Sequence, residues 1–271
     1  MNNLKIALCQ MLVENDKKKN LIKAKKMIER AVSLNANFVM LPEMFNCPYD
    51  ISYFKYYAEK LSDGETIQLL SNLAQKNKVY IVGGSIPEIR NHRLYNTSIV
   101  YNAEGNIVGT YQKAHLFDVH IPDGISFQES KVLSPGEKIA VIDTSFCKIG
   151  VAICYDIRFP ELFRAMALAG AKIIFVPAAF NMTTGPAHWS TLFKSRALDN
   201  QVFIFGNSPA RNEHASYVAY GHSLAINPWG QIIAEADEQE KILLVDIKLD
   251  EIEKIRSAIP IWKHRRTDIY S

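Results

Sequence analysis

Cys154 sits in the stretch GVAICYDIRFPEL, residues 150–162, where an apolar run gives way to polar and aromatic residues. A thiol in that place is either a small buried hydrophobe or a nucleophile held at the end of a strand. As a nucleophile it needs a base or a cation that favours the thiolate. It also needs a group facing the developing oxyanion and a proton donor for the leaving group. Three other ionisable residues lie where apolar stretches give out. Glu43 follows FVMLP, Lys113 ends IVGTYQK, and Glu129 lies in SFQES. Each has a plainer reading. Glu43 could partner an arginine or a backbone turn, Lys113 could snorkel at the surface, and Glu129 could be a loop carboxylate.

His115 and His120 raise two competing arrangements. One is a Cys-His pair of the protease type, for which AICYDIR lacks the surrounding context. The other makes His115, Asp118 and His120 metal ligands, with loose spacing and no clear fourth ligand. Hydrogen-bonded structural roles suit both histidines.

The elements that must position these residues can be read from periodicity. Residues 4–10 alternate as a strand. Asn15 or Asp16 can cap a helix that carries Leu21, Ala24, Ile28 and Ala31 on one face. NFVMLPEMF reads as a buried strand stopped by Pro42. A helix carrying Ile67, Leu70, Leu73 and Ala74 precedes the strand VYIVGGS. YNTSIVYN and NIVGTYQK flank Ala103-Glu104-Gly105, a hairpin signal. After a long irregular stretch come the strand KIGVAICYD, the helix PELFRAMALAG and the strand KIIFVPAAF. A helix near HWSTLFKSRALDNQ, the strand VFIFGNSPA, strands near HSLAINP, QIIAEA and KILLVDIKL, and a helix over 250–258 complete the chain. Alternating strands and helices without a Pro/Gly/Ser linker predict one α/β domain over residues 1–271. The mixture of continuous apolar runs and hairpins predicts mixed sheets. FVMLPEMF and IIFVPAAF echo each other as strand, proline, turn, which suggests two related halves packed sheet on sheet.

Composition narrows the function. The chain has 271 residues, 48% hydrophobic and 22% charged, the balance of a soluble enzyme with a sizeable core. A net charge of +3, with short basic runs at residues 17–19 and 263–266, does not make a nucleic-acid groove. No apolar run is long enough to cross a bilayer. There is no Walker loop and no GxGxxG, and Gly83-Gly84 is only a doublet. The four cysteines form no CxxC pair, and MNNLKIALCQM lacks the long apolar region of a signal peptide. Free thiols in a reducing cytoplasm are therefore expected.

Taken together, LPEMF (Glu43), YQKAHLFD (Lys113) and GVAICYDIRFPEL (Cys154) resemble the Glu-Lys-Cys motifs of the nitrilase superfamily of carbon–nitrogen hydrolases, in that family's chain order. The resemblance extends from KIALCQ to KHRRTDIY. Within the superfamily the chain is most similar to the omega-amidase branch, through GGSIPE, LYNT, FQES, AFNMTTGPAHW, SPAR, ASYVAYGHS and NPWG. The neighbouring branch of deaminated-glutathione amidases shares the triad.

The resemblance implies a four-layer αββα sandwich and a homodimer. Residues 250–271 would lie at the dimer interface, with Ile259, Ile261 and Trp262 available to dock. It implies hydrolysis of the terminal amide of a small 2-oxo dicarboxylate monoamide, without metal or organic cofactor. Glu43 would be general acid and base and Cys154 the nucleophile. Lys113, which would also favour the thiolate, and the backbone N–H of Tyr155 would hold the oxyanion. Glu129 matches a second family glutamate and would orient Lys113 or the substrate. A distal carboxylate calls for a cation such as Arg158, whose alternative is an ion pair with Asp156 or Glu161. Tyr49, Thr183 and the backbone near Phe180 would line the pocket, with His188 and Trp189 shaping a wall or packing. Another amide hydrolase, a true nitrilase and a catalytically silent scaffold remain as alternatives.

Overall fold

A computed structural model describes residues 3–122 and 124–270. Two twisted mixed sheets stack face to face. Among the described residues, sheet one has seven strands. In spatial order they begin Lys241–Lys248, Asn3–Gln10, Phe38–Met40 and Tyr80–Val82. Arg93–Tyr101 follows and pairs with both Ile86–Arg90 and Ile107–Gln112. Sheet two runs Ile232–Glu235, Leu224–Ile226, Phe203–Asn207, Ile173–Pro177, Lys148–Val151 and Ala140–Asp143. At the centre of each sheet three strands run parallel.

Alternation along the strands builds the layers. Ile6, Leu8, Phe38 and Met40 point between the sheets and meet Val151, Phe175 and Phe205. Ala7, Cys9, Val39 and Leu41 point the other way, onto the helices Lys17–Ser33 and Glu65–Asn77. This is the period-2 consequence of the pleat. On sheet two, Gly150 and Gly206 face the helices Pro160–Leu168 and Gly185–Asn200. A methyl group there would meet Met166 or Phe193, so glycine lets the helices close down. The result is the expected four-layer αββα sandwich. The C-terminal strand Lys241–Lys248 departs from a simple division into halves: it crosses back to pair with Asn3–Gln10 in sheet one.

Most predicted elements fall where the periodicity puts them. Asp16 caps its helix through the Lys19 N–H, and Pro160 opens its helix. The strand read as KIGVAICYD is shorter. It ends at Val151, and Cys154 opens a 3-10 helix over Cys154–Arg158. The irregular stretch after Lys113 contains a small hairpin, Asp118–His120 with Ser126–Gln128, and a 3-10 turn, Glu129–Lys131. No described helix is long and apolar enough to cross a membrane.

Candidate active site

The central strand Phe38–Met40 delivers Glu43 into a turn that its neighbours lock. Ser85 accepts the Met44 N–H at its Oγ (3.0 Å) and donates its own N–H to the Pro42 carbonyl (3.2 Å). Gly84, at φ +57, lies against that carbonyl where a Cβ would not fit. The Gly83-Gly84 doublet therefore packs the turn. Met44 has φ 49, an uncommon left-handed conformation for such a residue.

Lys113 follows the strand Ile107–Gln112, fixed by its N–H to Asn96 O (2.9 Å) and by the Gly136 N–H to its carbonyl (2.8 Å). Its side chain does not snorkel; it is fully buried. Lys113 Nζ lies 3.1 Å from Glu43 Oε1, 2.9 Å from the Glu129 carboxylate and 3.4 Å from Tyr49 Oη. Tyr49 Oη bridges the two carboxyl groups, at 2.8 Å from Glu129 and 3.2 Å from Glu43. Asn96 Nδ2 donates to Glu43 Oε1 at 2.8 Å. Glu129, read as a possible loop carboxylate, is buried at the start of its 3-10 turn and accepts the Phe117 N–H at 2.7 Å.

Burial on its own would lower the Lys113 pKa, but the Glu129 and Glu43 charges outweigh it and hold it well above the ordinary lysine value. Burial pushes Glu43 up more than Lys113 pulls it down. Glu43 Oε2 is buried with no other hydrogen-bond partner among the described residues, and the Cys154 thiol interacts with this carboxyl group. A carboxyl held above its usual range beside a thiol suits proton transfer in both directions.

Cys154 is almost fully buried and has φ 49, a sharp turn directly after the extended Ile153. Strained backbone of this kind clusters at functional sites. Its Sγ accepts the Ala179 N–H at 3.5 Å. Burial, then the Glu43 charge, pushes the thiol well above its ordinary value, and Lys113 and Ala179 recover only part of this. The Lys113 charge favours the thiolate, as expected, but burial and the Glu43 charge outweigh it. The turns after the two echoing prolines come together here, since one carries Glu43 and the other carries Ala179.

Glu43, Lys113, Glu129, Cys154 and Tyr49 thus form one cluster. Glu43, Tyr49, Ala179 and Tyr217 border a cleft. Arg158 lies in a second group. Its guanidinium sits over the Tyr155 and Phe180 rings (5.7 and 5.3 Å to the centroids) and 3.2 Å from His188 Nδ1. The alternative of an ion pair is not realised: among the described residues neither Asp156 nor Glu161 pairs with Arg158. Thr183 is exposed and donates its N–H to Asn181 Oδ1. Trp189 packs on Phe180 and donates to the His222 carbonyl. His115 bonds Asp156 and stacks on Phe159, away from both arrangements considered for it. No group of three or more metal-ligating side chains occurs among the described residues.

Asn96, Ala179 and Tyr217 were not singled out from the sequence, although LYNT and ASYVAYGHS contain two of them. Tyr217 Oη donates to the Ala179 carbonyl at 2.5 Å, and its ring packs on Tyr49 at 4.6 Å.

Residues 5–257 match the family model described as carbon-nitrogen hydrolase. The chain belongs to the carbon-nitrogen hydrolase family. Among the relatives of this carbon-nitrogen hydrolase, Omega-amidase NIT2 of Danio rerio is 48% identical over all of this chain and 98% of its own length. Omega-amidase NIT2 of Homo sapiens is 45% identical over the same shares. The crystal structure of Saccharomyces cerevisiae Nit3, titled a member of branch 10 of the nitrilase superfamily, superposes with a TM-score of 0.90. It is 44% identical, over 98% of this chain and 97% of that one.

Proposed function

We propose that this carbon-nitrogen hydrolase is an omega-amidase that hydrolyses the terminal amide of a small 2-oxo dicarboxylate monoamide, 2-oxoglutaramate or 2-oxosuccinamate, to the 2-oxo dicarboxylate and ammonia. The observation that carries the reading is the buried Glu43–Lys113–Glu129 cluster meeting the Cys154 thiol at one edge of the stacked sheets. The omega-amidase relatives support the substrate class.

In this reading Glu43 takes the thiol proton as sulfur attacks the amide carbon. The oxyanion is held by Lys113 Nζ and the Tyr155 N–H. The Lys113 hydrogen on its longest contact, with Nζ 3.4 Å from Tyr49 Oη, can turn toward it. One such donor is worth about 2.7–4 kcal/mol of transition-state stabilisation. Glu43 then protonates the departing nitrogen, and ammonia leaves a thioester. Glu43 next deprotonates the attacking water, and its proton returns to sulfur as the acid departs. Glu129 and Tyr49 keep Lys113 aimed. Arg158, fixed on two aromatic faces, is the cation for the distal carboxylate. Phe180 and Thr183 border that end of the site.

The same reading makes residues 1–271 one catalytic domain, paired in a homodimer through residues 250–271, where Ile259 is exposed. It also places the protein in the cytoplasm, in keeping with four unpaired thiols.

Ammonia release from a panel of 2-oxoglutaramate, 2-oxosuccinamate, deaminated glutathione and a simple nitrile tests the assignment. The 2-oxo monoamides should turn over fastest, and Cys154→Ala should abolish both turnover and the thioester trapped by mass spectrometry. Faster turnover of deaminated glutathione or the nitrile would overturn the substrate assignment, and an active Cys154→Ala variant would overturn the mechanism.

A further inference from the structure

Asp156 is fully buried two residues after Cys154, and the mechanism above does not use it. Its carboxylate gathers four donors. Oδ2 accepts the Ile153 N–H at 2.9 Å and Tyr111 Oη at 2.8 Å. Oδ1 accepts the His115 N–H at 3.0 Å and, with that nitrogen protonated, His115 Nδ1 at 2.7 Å. Ile153 immediately precedes the nucleophile. Tyr111 and His115 bracket Lys113 at two residues on either side. Tyr111 Oη also accepts the Ala114 N–H at 3.3 Å, which fixes the residue after Lys113. The far end of the nucleophile's turn is closed separately. Arg196 donates its Nε–H to the Ile157 carbonyl at 2.8 Å and its Nη2–H to the Arg158 carbonyl at 3.4 Å. The turn is thus held at both ends, and at its cysteine end the tether runs to the lysine segment.

We propose that Asp156 is a positioning residue that sets the placement of Lys113 relative to Cys154, an inference that rests on the amidase reading. The oxyanion forms on a carbon bonded to Sγ, so the Lys113 ammonium serves it only if the two segments keep their spacing to a few tenths of an ångström. One carboxylate shared between the two segments supplies that constraint. His115 stacked on Phe159 (3.6 Å between centroids, 8° between planes) stiffens the lysine side. The role differs from that of Glu43: Asp156 exchanges no proton with the substrate and leaves the thiol's chemistry with carbon electrophiles to Glu43.

Asp156→Asn keeps the shape but turns an NH2 group toward donors. It should lower kcat for the preferred amide 100- to 1000-fold with KM within 3-fold. Iodoacetamide alkylation of Cys154, which passes through no oxyanion and is mapped by mass spectrometry, should slow less than 5-fold. If turnover, alkylation and melting temperature fall together, Asp156 is merely structural and the proposal is overturned. Turnover within 3-fold of the parent also overturns it. Should Asp156→Asn fail to fold, the double variant Tyr111→Phe/His115→Phe keeps an aromatic ring at each position and the thiol-side bond. It should lose 10- to 100-fold in kcat with alkylation retained, and parallel losses or no loss would overturn the proposal. A parent enzyme without amide turnover overturns the amidase reading and this inference with it. An active parent whose variants fail these ratios overturns the inference alone.

Discussion

Among the described residues Lys113 is the only cation in contact with two buried carboxyl groups, so its removal separates its proposed chemical role from its electrostatic one. Lys113→Met fills similar space and leaves Glu43 and Glu129 facing each other without a counter-charge. Breaking a buried ion cluster on one side costs about 3–5 kcal/mol, and the pair can reduce that cost by taking up a proton. A carboxyl whose folded pKa is raised binds more protons in the folded state than in the unfolded one. The variant's stability relative to the parent therefore falls as pH rises above the ordinary glutamate value of about 4.3. Denaturant midpoints at pH 5 and pH 8 should show a wider gap between variant and parent at pH 8, together with loss of turnover. An equal gap at both pH values would reject the charge argument. The four ionisable site residues were legible in the sequence because charge at the end of an apolar run stands out. Asn96 and Ala179 were not. They contact Glu43 and Cys154 through an amide and a backbone N–H from stretches that read as ordinary strand or core, and nothing local marks where those groups point.

Two turns carry the candidate site, and both spend conformational energy, one at Cys154 itself and one at the residue after Glu43. Met44 and Cys154 have φ 49, a region that costs about 1–3 kcal/mol for a residue with a side chain unless its surroundings enforce it. For Glu43 the enforcing neighbour is Gly84, whose missing Cβ leaves room for the Pro42 carbonyl. Gly84→Ala combines a positive φ with a backbone clash and should destabilise by about 1–3 kcal/mol. Because the turn itself must shift, kcat should fall at least tenfold with KM little changed. Thermal melts and steady-state kinetics on the same sample check this, and a destabilised variant of normal kcat would show that the turn tolerates the shift. The longer helices and the central strands were readable from spacing alone, since burial on one face imposes a period; the short helix Ile51–Tyr57 was not. The stretch after Lys113 was not. Its order comes from bonds to distant partners, such as Phe117 to Glu129 and His115 to Asp156, which leave no periodic trace.

At the scale of the molecule, the site lies where the two sheets meet, and a buried polar belt stitches their edges together. Asn207 Nδ2 donates to the Met40 carbonyl at 2.8 Å, and Ser223 and Gln10 extend the chain of bonds. The echo of strand, proline and turn foreshadowed the stacking, whereas the return of Lys241–Lys248 to sheet one depends on a pairing across almost the whole chain and had no local signal. Closing both sheets under helices also buries thiols outside the site. Cys9, between sheet one and its helices, is fully buried, and burial pushes it from 9.0 up to about 12. Burial raises Cys47 in the same way. A thiol kept neutral by the fold ionises sooner once the chain unfolds. Above pH 9 the folded state holds more protons, and stability falls as pH rises toward the folded value. For Cys9 the slope approaches about 1.4 kcal/mol per pH unit. Urea midpoints should be nearly flat from pH 7.5 to 8.5 and fall between pH 9 and 10. In Cys9→Ala the fall over that interval should be shallower by about 1 kcal/mol, whatever the substitution costs in packing. Parallel slopes for parent and variant would mean that the Cys9 thiol is not the group whose burial the fold must defend.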